Sequence, residues 1–344
     1  MALCQKQFNE FHEKIRLKYD DNEELREKRD IIINRIEQNM PEEAKEYDFE
    51  IFTQGSYSMY TGIQPLDGDY DIDVGLYFEM SKDDIEPITA KQWVLDAIGD
   101  HTKDVKMKTP CITVSYAAGY HVDVTVYSAK NDDGKVYLAK GKPSSKAENK
   151  KWDESNPKDL LKEIQNHLSD KDDRKQFRRV IRYLKRWKDI HFDSVNGKPS
   201  GIALTSCVYH WLSIQKDVDS FTNKATYRDL DAIINVVDEM INRFVNKLVE
   251  VDGKYDFYPR LKVELPVEPK PDLFEKMTPK QMKNFKQQLE SLLLALRDAK
   301  NKVDPVDAAE ILQKQFGQDF PIPPRPSTGK KSVATAVIPS SESA

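Results

Sequence analysis

The run Asp69-Tyr70-Asp71-Ile72-Asp73-Val74-Gly75-Leu76 constrains this chain more than any other stretch. Successive strand residues point to opposite faces. As a strand, it puts Asp69, Asp71 and Asp73 on one face and Tyr70, Ile72 and Val74 on the other. The apolar face requires a sheet with a buried side. The acidic face requires something to offset its charge, because aspartate is depleted in strands and like charges on one face repel. A divalent cation does this: carboxylates two residues apart can hold one or two hard ions through oxygen. Just ahead lies Gln54-Gly55-Ser56-Tyr57, a small turn whose backbone N–H groups can hold phosphate. A metal-holding strand beside a phosphate turn is the minimum kit for moving a nucleotide. An exposed strand with an acidic outer face is the plainer reading of the same residues.

A catalytic metal site needs a further carboxylate on a neighbouring strand. The stretch from Cys111 to Tyr127 reads as a hairpin, rich in β-branched and aromatic residues and broken at Ala118-Gly119. In its second half Val122, Val124 and Val126 face one way, and His121, Asp123, Thr125 and Tyr127 the other. Asp123 is the only acid in that hairpin. None of His101, His121, His191 and His210 stands at metal-ligand spacing.

With 344 residues the chain can bury a sizeable core and divide into two lobes. No apolar run approaches the roughly 20 residues that span a bilayer. The first residues carry no secretory apolar segment. The three cysteines, Cys4, Cys111 and Cys207, are scattered and read as reduced thiols. A cytoplasmic protein without membrane contact is therefore expected. The net charge of −5 gives no global attraction to nucleic acid, so no long nucleic acid is required as partner.

Apolar spacing predicts helix over about residues 4–39, closed by Pro41. Strands prevail over 47–137, interrupted by a helix around 93–99, and 131–134 is a turn. The lysine- and serine-rich stretch 140–151 reads as a loop crossing between lobes. Helices then follow at 157–169, 174–191, 200–214, 227–249, 279–301 and 306–315, with a proline-punctuated loop over 259–271. The expected units are a first lobe over 1–150, a helical lobe over 151–320 and a flexible tail over 321–344.

The helix near residues 174–188 carries eight positive charges with no acid among them. Arg178, Arg182, Lys185 and Arg186 fall on one face, opposite Phe177, Val180, Ile181, Leu184 and Trp187. Like charges at this spacing destabilise a helix by roughly 0.2–0.5 kcal/mol per pair. A solvated basic face tolerates that, and so does a face opposite an anion such as a triphosphate. Arg182 and Lys185 are the candidate contacts. Asp272, in a proline-rich loop, either reaches a nucleotide or is solvated. Tyr57 and Tyr60 either stack on a base or pack in the core.

Thr53-Gln54-Gly55-Ser56-Tyr57, then Asp-Ile-Asp-Val beginning fifteen residues after Ser56, then His121-Val122-Asp123-Val124, resembles the polymerase-β-type nucleotidyltransferases. More narrowly the chain is similar to the bacterial cGAS/DncV-like nucleotidyltransferases (CD-NTases), second-messenger cyclases of CBASS antiphage defence. The resemblance continues through Lys151-Trp152, Asn156-Pro157-Lys158, Arg182 to Asp189 and Pro199 to Leu204, ending near Phe316-Gly317. It implies an α+β fold: a bilobed polymerase-β-type core of mixed sheet and helices, plus a helical C-terminal lobe. It implies that Asp71, Asp73 and Asp123 hold two Mg²⁺ ions, with Mn²⁺ as a substitute, and act as the catalytic set. Gly55 and Ser56 would bind the β- and γ-phosphates, with Gln54 also in the nucleotide-binding set. Lys185 and Ser200 would touch the triphosphate, and Pro199-Ser200 fits a helix start able to receive one. ATP and GTP, or other nucleoside triphosphates, are the implied substrates, and 3′,3′-cyclic GMP-AMP the implied product. The partners implied are an effector that senses the product and a ubiquitin-transfer-like protein acting on Ala344.

The chain departs from the pattern at one point. Relatives carry an arginine on the strand leading into the third acid, and it helps set purine choice. Here that strand reads Pro110-Cys111-Ile112-Thr113-Val114. The reaction type follows from the resemblance, but the product's bases do not. Asp69/Asp71 remains a possible alternative pair to Asp71/Asp73. Other possibilities are nucleotide transfer to a macromolecule, another cyclic di- or trinucleotide, and a non-catalytic nucleotide-binding scaffold.

Overall fold

The structure, a computed structural model, describes residues 4–17, 23–68, 70–193, 197–251 and 253–325. Asp69 and Ala344 lie outside them. The first half runs α1 (Gln5–Ile15), α2 (Glu23–Asn39), β1 (Phe49–Gln54), α3 (Gly55–Ser58), β2 (Tyr70–Phe78), α4 (Pro87–Ile98), β3 (Asp104–Met107), β4 (Ile112–Tyr116), β5 (Tyr120–Ser128), β6 (Tyr137–Lys140) and β7 (Lys151–Glu154). The second half runs α5 (Pro157–Asn166), α6 (Lys171–His191), α7 (Gly201–Trp211), β8 (Lys216–Val218), β9 (Ala225–Tyr227), α8 (Asp229–Asn242), β10 (Val245–Val251), β11 (Lys254–Arg260), α9 (Pro279–Asn301) and α10 (Pro305–Phe316). This is the expected α+β architecture, a mixed sheet with helices followed by a helical lobe.

The sheet order is β1-β2-β5-β4-β3, and β6 joins β5 to β7. β2 and β5 pair in parallel, and every other pair in this sheet is antiparallel. The alternation in β2 and β5 sorts as the residue pattern requires. Ile72, Val74, Val122, Val124 and Val126 are buried beneath α2 and α4, in one core with Ile32, Ile36, Trp93 and Val94. The other face of those strands carries the acids.

A second core fills the helical lobe and includes Phe177, Leu184, Leu204, Val236, Leu289 and Leu312. Local chemistry starts its helices. The Asp170 carboxylate accepts from Asp172 N and Asp173 N at the head of α6, and Thr278 forms a reciprocal capping box with Gln281 at the head of α9. Deep in this lobe Arg179 makes two hydrogen bonds to Asp229, which also accepts from Gln176 and Tyr183. That arrangement compensates a fully buried carboxylate and holds its pKa below the usual range against the effect of burial. Lys91 is handled differently. Its buried ammonium donates to the carbonyls of Lys108, Thr109 and Gly141, tying α4 to the end of β6 with no acid involved.

Three expectations are corrected. The 140–151 stretch is not a crossing between lobes: β6 and β7 pair across it, so residues 151–154 complete the catalytic sheet. The helix expected over 227–249 stops at Asn242, and Val245–Val251 pairs with Lys254–Arg260 as a hairpin. The N-terminal helices divide between the lobes. α2 packs under the sheet, whereas Phe8, Phe11 and Ile15 of α1 lie in the helical core.

His12, on α1, accepts from Arg182 through Nε2 in its neutral form, and Nδ1 faces Glu13 at 3.3 Å. Burial, then the nearby Arg182, pushes its pKa down to about 3. A base whose folded pKa lies below its ordinary value binds fewer protons folded than unfolded. Its contribution is intact above pH 6.5 and is lost as pH falls from there toward the folded pKa. Acidification from pH 6.5 to 5 should therefore cost the protein about 2 kcal/mol through His12 alone. Urea denaturation at both pH values should show His12→Gln losing less stability than wild type over that interval. Equal losses in the two proteins would refute this role.

Candidate active site

The register of three strands assembles the site. Gln54 on β1 pairs with Asp73 on β2, and Asp73 pairs with Asp123 on β5. Asp71 stands two residues earlier on the same face, opposite His121. The chain leaves β1 directly into the turn Gly55–Ser58. Gly55 has φ +71°, and a Cβ there would lie 1.8 Å from Asp73 Oδ2. Only glycine supplies both that backbone conformation and that space. The phosphate turn is therefore pressed against the central acid.

Gln54 is buried behind this turn. Its Nε2 donates to Thr125 Oγ1 at 2.7 Å, and Tyr127 OH donates to its Oε1 at 3.0 Å. Thr125 Oγ1 in turn donates to Val74 O at 3.1 Å. The network fixes β1, β2 and β5 relative to one another.

A cavity of about 690 Å³ opens in front of the turn. Gln54, Gly55, Ser56, Asp71 and Asp73 line one wall, and Lys185, Lys188, Asp189, Lys198 and Gly201 line the wall contributed by the helical lobe. Burial, followed by the neighbouring Asp123 and Asp71, raises the Asp73 pKa to about 7, and Lys185 opposes this. Burial, followed by Lys188 and Arg182, lowers the Lys185 pKa to about 7.

Asp123 stands back from the cavity lining. Its Oδ1 accepts from Thr113 Oγ1, the residue paired with it on β4. Among the described residues no three His, Cys, Asp or Glu side chains are gathered as a ready metal-holding group. The donor set nevertheless suits a hard divalent ion. It consists of carboxylate oxygens, and their mutual repulsion at Asp73 is what a cation relieves.

The basic face of α6 is turned to a different task from the one expected. Arg182 donates from Nε to Gly62 O at 3.1 Å and from Nη2 to Tyr60 O. Lys185 Nζ donates to Thr61 O at 3.1 Å and Thr61 Oγ1 at 3.2 Å, and Arg186 Nη2 donates to Gln64 O at 2.8 Å. The face that reads as a triphosphate contact thus holds the backbone strap 60–64 that follows the phosphate turn. Lys185 also lines the cavity, whereas Arg182 does not.

Other candidates are placed elsewhere. Asp272 pairs with Arg260 and accepts from Val263 N and Phe274 N, so it organises its own loop, and it does not line the cavity. Ser200 caps α7 by accepting from Ala203 N, and its neighbour Gly201 is the residue on the cavity wall. Tyr57 packs against the core under the sheet, and Arg178 lies over the Tyr60 ring at 5.0 Å. Neither tyrosine lines the cavity.

Residue patterns did not single out Lys188, Asp189, Lys198 or Thr113. The available signals were a lysine three residues beyond Lys185 and a lysine just ahead of the Pro199-Ser200 helix start.

A mixed sheet with a glycine-serine turn pressed against an acidic strand, closed by a helical lobe, is the architecture of the polymerase-β-type nucleotidyltransferases. Residues 49–127, from β1 to the end of the acid-bearing β5, match the family model described as "Cyclic GMP-AMP synthase DncV-like, nucleotidyltransferase domain". A cyclic GMP-AMP synthase of Escherichia albertii is 29% identical over 181 residues, 50% of this chain and 38% of that protein. The match thus spans well under half of that relative's length. The fold matches the Vibrio cholerae DncV cyclic AMP-GMP synthase with TM-score 0.65 at 20% identity, covering 92% of this chain and 96% of that one. It also matches the Bradyrhizobium diazoefficiens CD-NTase CdnG in complex with GTP (TM-score 0.65, 16% identity, 90% and 94% covered). Escherichia coli MS115-1 CdnC with ATP is similar too (TM-score 0.64, 18% identity, 92% and 98% covered). Over its catalytic lobe the chain is thus similar to the DncV-like nucleotidyltransferases, the bacterial CD-NTases.

Arg182→Met should remove hydrogen bonds to two backbone carbonyls, one of them buried, and lower stability by about 2–4 kcal/mol. A urea midpoint unchanged from wild type would return Arg182 to the role of a nucleotide contact.

Proposed function

We propose that this chain is a cyclic dinucleotide synthase that joins nucleoside triphosphates with release of pyrophosphate. The observation that carries this reading is one cavity with the acid strand and phosphate turn on one wall and three lysines, the buried Lys185 among them, on the other. ATP and GTP are the substrates proposed, and 3′,3′-cyclic GMP-AMP the product. Asp71, Asp73 and Asp123 would hold Mg²⁺, or Mn²⁺ in its place. Bound there, the metal would supply Lewis-acid activation of a ribose hydroxyl and charge neutralisation on the leaving pyrophosphate.

The chain's own groups do the rest. Gly55 and Ser56 present backbone N–H and hydroxyl donors to the β- and γ-phosphates. Lys185, set between Thr61 and the first turn of α7, faces the same phosphates with positive charge. Positioning and electrostatic stabilisation account for most of the rate in this class of transfer. The linear dinucleotide formed first would turn in the same cavity and close by the same step. The base of each nucleotide is selected without an arginine on β4, where Thr113 instead holds Asp123. A role in antiphage signalling, an effector for the product and conjugation of Ala344 by a ubiquitin-transfer-like partner complete the proposal.

The test is one reaction. Purified protein incubated with all four nucleoside triphosphates and Mg²⁺ should give a phosphatase-resistant product, identified by chromatography and mass spectrometry. Asp71→Ala combined with Asp73→Ala should abolish it. Wild type that leaves every mixture unconverted, with candidate partners added, would end the cyclase reading.

A further inference from the structure

The helical wall of the cavity carries three charged groups that the reading above does not use. Lys188 follows Lys185 by one turn of α6, and Lys198 lies just before α7. Both ammonium groups meet one carboxylate oxygen, Asp189 Oδ1, at 3.3 Å and 2.9 Å. All three residues line the cavity. The side chains of Lys188 and Asp189 are 14% and 17% exposed, and that of Lys198 is 39% exposed.

Three features set this cluster apart from an ordinary surface ion pair. The first is its stoichiometry. An ammonium has three N–H donors, and among the described residues Asp189 is the only salt-bridge partner of either lysine. Two positive charges therefore share one negative charge on the wall of a cavity.

The second is the position of the acid. Asp189 lies in the last turn of α6, where the helix dipole disfavours a negative charge. An acid there is retained only if something nearby outweighs that effect, and the two lysines do.

The third is the neighbourhood. A Cβ placed on Gly201 would lie 3.4 Å from Lys185 Cε and 3.8 Å from Lys185 Nζ. Lys185 therefore crosses the first turn of α7, whose positive dipole end adds to the charge of this wall. Burial is the largest cause lowering the Lys188 pKa, and Lys198 lowers it further, so this group gains from any added anion.

We infer that Lys188 and Lys198 dock the terminal phosphates of the nucleotide, and that Asp189 is an internal counter-anion that those phosphates displace. The inference rests on the nucleotidyltransferase reading of this cavity. It gives Asp189 a defined task. The carboxylate holds both ammonium groups at one oxygen and neutralises one of their two charges while the cavity holds no phosphate. It then competes with pyrophosphate once the α-phosphate bond is broken, which favours release. No covalent step is involved, because the exchange is of one anion for another at two ammonium groups.

The probe is inorganic tripolyphosphate, titrated calorimetrically into the full chain in EDTA so that no divalent ion contributes. Lys198→Ala should weaken binding by about 5- to 20-fold, and Asp189→Asn should tighten it by about 3- to 10-fold, the range of charge-assisted hydrogen bonds. Both effects should shrink as salt rises. Lys198→Ala should unfold at the wild-type temperature, because its side chain is the most exposed of the three. Asp189→Asn that binds tripolyphosphate no more tightly than wild type overturns the counter-anion. Lys198→Ala that binds as wild type does overturns the docking site.

The parent reading is scored separately by conversion of nucleoside triphosphates. Conversion by wild type with tripolyphosphate affinity indifferent to both substitutions removes this inference alone. Substitution-sensitive tripolyphosphate binding without conversion leaves the phosphate site standing and removes the cyclase.

Discussion

The strap 60–64 is held to α6 by donors on one side and carbonyls on the other, and much of the active-site geometry depends on that seam. Arg182, Lys185 and Arg186 are nearly buried and satisfy the carbonyls of Tyr60, Gly62, Thr61 and Gln64. Unpaired, each of these groups would carry a desolvation penalty of about 1–3 kcal/mol, and more for the charged ones. Paired, they fasten the segment that leaves the phosphate turn to α6 of the other lobe. Thr61 N also donates back to Ser56 O at 3.0 Å, so the seam reaches the turn itself. The helical lobe therefore sets the position of the phosphate turn as well as closing the cavity over it.

A second constraint acts from the sheet side. Gly55 leaves no room between the turn and Asp73, and the Gln54–Thr125–Tyr127 network leaves no freedom behind it. An acid whose ionisation is suppressed by burial and then by neighbouring carboxylates faces a buried lysine whose protonation is suppressed by burial and then by neighbouring cations. Each wall is electrostatically incomplete, with negative charge in excess on one and positive on the other. A phosphate accompanied by a cation is the ligand that satisfies both.

Much of this was legible in the residues, for identifiable reasons. The acid strand and its hairpin partner follow from a period of two with a strictly apolar face, and both faces were assigned correctly from that pattern. The α9 boundaries coincide with expectation because Thr278, Pro279 and Gln281 encode its start locally. The expected helix over 227–249 runs into the start of β10 because Val245, Leu248 and Val249 are apolar residues compatible with either period. The task of Arg182 was hidden for a more basic reason. A row of cations predicts acceptors opposite, but phosphate oxygens and backbone carbonyls are both acceptors. Choosing between them requires knowing that residues 60–64 return to α6 from about 120 positions away. The placement of Asp272 depends on a shorter closure, its pairing with Arg260 12 positions earlier across a loop.

The position of α1 bears on how the chain becomes a protein. Phe8 and Phe11 stack among Tyr183, Phe316 and Phe320, with ring centroids 5.1–6.0 Å apart. The helix therefore precedes the catalytic sheet in sequence, but its partners follow that sheet by many residues. During synthesis the sheet and its covering helices can close their own core while α1 waits with two phenylalanines unburied. The helical lobe is finished only when α10 arrives and the earliest helix is sealed by the latest. This is a contact of very long sequence separation, of the kind that slows folding. Native contact between the catalytic lobe and α6 is thus established in a chain whose final locking step lies at the opposite end from its active-site residues.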